Sequence, residues 1–173
     1  TGRRTHTGLS TAGPWHTVAA GTPTRTVGAN DQSSTFSGIV QNTSGTLALT
    51  KVGTGTLVLS NNNSFAGGLW VEKGTVRLQS STNAMGAGLV NVGTNATLDL
   101  NYNAVTLRPV PLTLYNGNVT KSTASATTWQ DGFTNYNSST VTVSSGNFYI
   151  NGGMNLASGT LVFSNVSQSG MSG

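Results

Sequence analysis

Residues 46–78 read TLALTKVGTGTLVLSNNNSFAGGLWVEKGTVRL. With the preceding residue, this stretch holds one pattern three times: Gly45-Thr46-Leu47-Ala48-Leu49, Gly55-Thr56-Leu57-Val58-Leu59 and Gly74-Thr75-Val76-Arg77-Leu78. A glycine and a threonine lead into an apolar–any–apolar triplet. Successive side chains of a strand point to opposite faces, so the outer two residues of a triplet share one face and the middle one takes the other. Val76 and Leu78 are expected inside with Arg77 outside, and Leu98 and Leu100 inside with Asp99 outside. Ala48 and Val58 take the same outward slot.

Outward from this stretch, two kinds of short strand alternate. The first follows a glycine, as in Gly38-Ile39-Val40, Gly68-Leu69-Trp70-Val71 and Gly88-Leu89-Val90-Asn91-Val92. The second is the glycine–threonine unit, which comes soon after, as Thr75–Leu78 follows Val71 and Thr97–Leu100 follows Val92. The unit recurs about every 20 residues and holds two strands and no helix, the mark of a solenoid. Sandwich strands are longer and joined by hairpins; here the triplets are short and the turns contain glycine. The expected fold is all-β, a parallel β-helix (β-solenoid) over residues 36–173 with rungs of about 20 residues. Leu112–Leu114 with Val119, Thr140–Val143 with Asn147–Ile150, and Met154–Leu156 with Gly159–Phe163 continue it. Two interruptions are expected. One is an extra glycine–threonine–leucine strand near Lys51. The other is Ser122–Ser138, read as a projecting loop or hairpin.

Residues 1–35 differ: their apolar residues are sparse, and Gly13-Pro14 and Thr22-Pro23 break any regular element. They form an N-terminal arm, either flexible or extended. As an extended arm it offers Thr17–Ala20 and Arg25–Val27 as short edge strands, with Trp15 as an anchor. His6 and His16 lie in this arm with no carboxylate or cysteine nearby, which argues against a metal site.

Charged residues make up 7% of the chain, against roughly 25% in an average globular protein. Hydroxyl and amide side chains take their place. Eight bases face four acids (Asp31, Glu72, Asp99, Asp131), giving a net charge of +4, but no basic stripe follows and nucleic acid is not an expected partner. The absence of cysteine excludes disulfides and thiolate chemistry. No apolar run approaches the roughly 18 residues of a membrane helix, so no membrane insertion of this segment is expected. Lys51–Thr56 is glycine-rich but lacks the order of a phosphate loop; Gly53 and Gly55 are read as a hairpin or bulge turn. The acids are too dispersed for a two-carboxylate hydrolase or a calcium cluster. Glu72 and Asp99 are expected on different faces. Neither a GxSxG elbow nor a histidine within the solenoid supports a serine nucleophile. No catalytic residue, cofactor or metal is therefore assigned. Triplets such as Asn95-Ala96-Thr97 and Asn118-Val119-Thr120 are expected by chance in a chain rich in Asn and Thr.

The stretch Thr50–Ser60, then Asn63–Gly68, Val71 and Gly74–Leu78, resembles the autotransporter-associated β-strand repeat, also called the passenger-associated transport repeat. Ala84–Val92 and Ala96–Leu100 resemble its usual continuation. The resemblance covers Phe36–Leu100, fades to strand periodicity through Phe163 and is absent from the first 35 residues. Leu69-Trp70 departs from it, standing where threonines are common. The resemblance implies a right-handed coil, exported and displayed on or released from a bacterial cell, with a structural rather than catalytic role. An extracellular structural protein is the leading expectation, with copies stacking head to tail into filaments through uncapped ends, or with adjoining rungs of a longer chain in that place. The alternative is an adhesin-type module that binds a glycan or a protein. For either, the expected contact surface is Trp15, Val18 and Val27 in the arm with Trp70, Trp129, Phe133 and Tyr136, the last three brought to Trp70 if residues 122–138 fold back. The plainer reading, and the favoured one, is that Trp70 packs over the base of that loop.

Overall fold

The computed structural model describes residues 22–42, 45–79, 83–102, 106–107 and 109–164, with the backbone of Trp15–His16. Every described strand pairing is parallel, and no helix occurs among these residues. The chain is a β-solenoid. One seven-stranded sheet, here face A, stacks Thr24–Val27, Ala48–Lys51, Leu69–Val71, Val90–Val92, Leu112–Tyr115, Phe133–Tyr136 and Met154–Leu156. A second, face B, stacks Ser34–Phe36, Thr56–Leu59, Thr75–Leu78, Thr97–Leu100, Asn118–Lys121, Ser139–Val143 and Leu161–Ser164. The third side is less regular. Trp15–His16 pairs with Ile39–Val40, and Thr127–Trp129 with Phe148–Ile150. Between these pairs, loops carry the ladder: Ser64 N–H donates to Val40 O (2.9 Å), Ala87 N–H to Phe65 O (2.8 Å) and Leu107 N–H to Thr128 O (3.0 Å).

Alternation within the triplets, repeated in register, builds the core. Leu49, Leu69, Val90, Leu112 and Phe133 are consecutive partners on face A. Leu57, Val76, Leu98, Val119 and Val141 are consecutive partners on face B. All ten are buried. The third side fills the remaining gap with Phe65, Met85, Leu107, Trp129 and Ile150. Arg77 faces out as expected. Asp99 also faces out, yet is only 5% exposed because Arg77 covers it.

Each passage from face A to face B contains a left-handed residue at a recurring position, and the first passage has a second at Gly28 (φ 89°). Asp31 (φ 59°), Gly53 (69°), Gly74 (70°), Asn95 (59°), Asn116 (58°), Asn137 (64°) and Gly159 (72°) recur at intervals of 21 or 22 positions. Glycine and asparagine are the residues that reach this region at least cost. At Gly74 glycine is doubly required, since a Cβ would lie 2.4 Å from Gly53 O.

Several boundaries read from the sequence are corrected. The coil does not begin at Phe36. Thr24–Val27 and Ser34–Phe36 are the terminal strands of the two sheets, paired with Ala48–Lys51 and Thr56–Leu59, so Arg25–Val27 is the edge strand expected of it but belongs to the coil. The Thr46–Leu49 unit is not an additional strand: Leu49 pairs with Leu69, so Ala48–Lys51 is the face-A strand of its own rung. Ala48 and Val58 consequently point out from different sheets. Gly53 serves a corner between sheets rather than a hairpin. Residues 122–138 do not project. Thr127–Trp129 forms part of the third side, and Phe133–Tyr136 sits between Leu112–Tyr115 and Met154–Leu156 on face A. The inward requirement decides this, because Trp129 and Phe133 are both fully buried. The expected strand at Thr17–Ala20 and the His6 position lie outside the described residues.

Candidate contact surface

Face A carries the only outward aromatic column among the described residues. Tyr115 and Tyr136 are register partners on adjacent strands, with ring centroids 5.1 Å apart and an interplanar angle of 4°. The separation is close to the roughly 4.8 Å between neighbouring strands, so the rings stack directly. Trp70 continues the column at 5.9 Å and 12° from Tyr115. These two rings belong to rungs separated by one. They meet across Val90–Val92, where the position in register with Tyr115 is Gly93 and offers no side chain. Beneath the column, Asn91 and Thr113 point outward yet are each only 9% exposed. Each ring pair contributes about 0.5–1.5 kcal/mol beyond the area it buries.

Trp70 is 40% exposed and Tyr136 38% exposed. Beside Trp70 lies an open groove of about 350 Å³, lined chiefly by Thr24, Ala48, Thr50, Trp70, Glu72 and Leu89. Tyr115 does not line it. The indole therefore stacks on Tyr115 and also lines the groove.

Of the contact residues expected from sequence, the structure joins Trp70 and Tyr136, through Tyr115. Trp129 and Phe133 belong to the core instead, and Trp129 Nε1 donates to Val110 O at 3.0 Å. Val27 is buried at 3% exposure as an inward residue of the first described face-A strand. Val18 and the Trp15 side chain lie outside the described residues. Sequence reasoning passed over Tyr115. Its signal is the rung period: it precedes Tyr136 by 21 positions, which is hidden once residues 122–138 are treated as an insertion.

Three of the four acids have local structural work. Asp31 Oδ1 accepts from Thr54 N–H on the next rung (2.7 Å), and this bond holds its carboxyl below the usual carboxylate range. Asp131 Oδ1 accepts from Gly132 N–H (2.7 Å). Asp99 Oδ2 pairs with Arg77 Nε (2.7 Å). Glu72 alone faces the groove, and it lies on face A whereas Asp99 lies on face B. Among the described residues no three His, Cys, Asp or Glu side chains converge.

Two lysines point inward, a feature the sequence reading did not anticipate. Lys51 Nζ donates to Val52 O (2.6 Å), Gly53 O (2.7 Å) and Lys73 O (3.3 Å), so its ammonium sits among the carbonyls of two successive corners. Lys121 Nζ donates to Thr123 Oγ1 (2.6 Å) and to Thr123 O. Burial lowers the pKa of both, against a smaller opposing pull from Asp31 on Lys51.

A family model described as the passenger-associated-transport-repeat matches residues 49–78. The chain carries a passenger-associated transport repeat. The repeat runs from the strand Ala48–Lys51 through Thr75–Leu78 and contains Lys51, Trp70 and Glu72. An 86-residue stretch of the chain is 45% identical to the adhesin BmaC autotransporter of Brucella suis biovar 1 (strain 1330). The match covers 49% of this chain and 2% of that protein's length. No solved structure matches the chain significantly.

Proposed function

We propose that the chain is a non-catalytic, adhesin-like segment of an autotransporter passenger, displayed on or released from a bacterial surface. The observation that carries this reading is the 45% identity over 86 residues to an autotransporter adhesin. The fold is consistent with it. A continuous parallel ladder gives a rod that holds its outer faces at fixed spacing, and a surface poor in ions leaves hydroxyls and amides for contact. The engagement of Asp31, Asp99 and Asp131 within the coil supports a non-catalytic role. The test is antibody labelling of intact producing cells, together with protease shaving and analysis of the medium. Labelling of intact cells or recovery from the medium is expected. Antigen found only after permeabilisation overturns the reading.

A finer reading is that copies stack head to tail into filaments. It is favoured by the strand Met154–Leu156, which among the described residues pairs on one side only and leaves the inward-type Leu156 57% exposed. An open rung of this kind suits another rung. Negative-stain electron microscopy at rising protein concentration is expected to show rods lengthening. Single-length particles throughout would eliminate stacking.

A further inference from the structure

We infer that the groove beside Trp70 is a binding site for a neutral pyranose. This deepens the adhesin-like reading by naming the ligand class of one surface, and it rests on that reading only for its biological setting. The argument begins with the indole. A flat aromatic ring attracts the polarised C–H face of a hexose ring, and Trp70, though stacked on Tyr115, stays 40% exposed and lines the groove. The stack Trp70–Tyr115–Tyr136 is braced over two intervals, at 5.9 Å and 5.1 Å, so the indole is held in place before any ligand arrives. A preorganised platform loses less conformational freedom on binding.

The remaining lining supplies what a sugar's hydroxyls require. Thr24, Thr50 and Glu72 face the groove, and none of these side chains has a hydrogen bond or ion pair among the described residues. Hydroxyls can donate and accept, whereas the carboxylate of Glu72 accepts only. Leu89, 42% exposed, and Ala48 add apolar walls. The volume of about 350 Å³ falls at the small end of ligand sites, suited to one or two sugar rings rather than a folded partner. Charge narrows the class. No lysine or arginine lines the groove, and its one ionisable lining residue is an acid. Phosphorylated, sulfated and sialylated sugars would meet Glu72 without a compensating cation.

The test uses the whole chain, 15N-labelled, titrated separately with methyl galactoside, methyl glucoside, N-acetylglucosamine and N-acetylneuraminic acid. Saturable shifts at the amides of Thr50, Trp70 and Glu72 are expected with at least one neutral sugar and absent with the acidic one. Trp70→Ala is expected to weaken that binding about tenfold or more, and Trp70→Phe to retain most of it. Glu72→Gln is expected to admit the acidic sugar. Circular dichroism confirms that each variant keeps the coil. The proposal is overturned if no neutral sugar shifts these amides, or if Trp70→Ala binds as the parent does. Loss of sugar binding with surface labelling intact rejects the pyranose and leaves the adhesin-like reading with a protein partner. Sugar binding by a chain confined to the cell interior rejects that reading and leaves the site.

Discussion

Lys51 and Lys121 occupy inward positions between Val27 and Val71, and between Leu100 and Val143. The alternation of each strand puts them there, but a charged residue is read as outward by default, since lysine is almost never fully buried unless paired. Here the partners are main-chain carbonyls and a threonine, which leave no trace in sequence spacing. Burial costs the charged form, so each folded-state pKa lies below the ordinary 10.5. Between the lowered value and 10.5 the unfolded chain binds more protons than the folded one, and stability rises with pH across that window. Tyr102 acts in the opposite sense. Burial raises its phenol above the ordinary 10.0, so above that pH the unfolded state ionises first and stability falls. Urea unfolding from pH 7 upward should therefore show stability climbing and then declining near pH 10. A Lys51→Met, Lys121→Met double variant should lose the climb and keep the decline; an unchanged climb would show that other groups cause it. Tyr102→Phe should lose the decline. The Tyr102 hydroxyl is buried with no partner among the described residues, so removing it should be neutral or stabilising, by up to about 1–3 kcal/mol. A loss of stability would reveal a partner for that hydroxyl.

At the scale of the element, the A-to-B corner is the unit that repeats most faithfully. In the first part of the chain the corner residue is glycine at 53 and 74, where it stands out as a glycine–threonine motif. From Asn95 to Asn137 the same left-handed position is held by asparagine. This substitution is why the rungs after Leu100 read only as faint strand periodicity, although the interval of 21 or 22 residues continues. Asparagine tolerates the conformation through its short polar side chain, whereas a β-branched residue does not. Asn116→Gly is therefore expected to change stability by only a few tenths of a kcal/mol. Asn116→Val is expected to cost about 1–2 kcal/mol or more. Thermal and urea unfolding of the pair would check this. Equal stabilities would mean that the corner relaxes away from a positive φ and does not set the rung.

Over the whole molecule, the repeat and the strand alternation of the described residues were readable from residues 46–78, because period and pattern are local properties. What was not readable was the division of the chain among three sides. The inward places of Phe133 on face A and Trp129 on the third side become visible only when rungs are aligned at 21 residues, and two aromatics in a segment rich in Ser and Thr look like an exposed loop until then. The same alignment puts Tyr115 beneath Tyr136 and so yields half of the candidate site. Stacked rungs contact mainly their neighbours, so stability in such a coil is a sum of rung and nearest-interface terms. Leu98 is fully buried between Val76 and Val119 at the middle of face B. Leu98→Ala should cost about 2–5 kcal/mol through lost transfer energy and the cavity left behind. If the nearest-neighbour picture holds, hydrogen exchange should show that cost locally. Amides of Thr75–Leu78 and Asn118–Lys121 should lose protection first, with Thr24–Val27 and Leu161–Ser164 little changed. A uniform loss along both sheets would instead mean that the coil unfolds as one cooperative block, with the aromatic column on face A and the core on face B failing together.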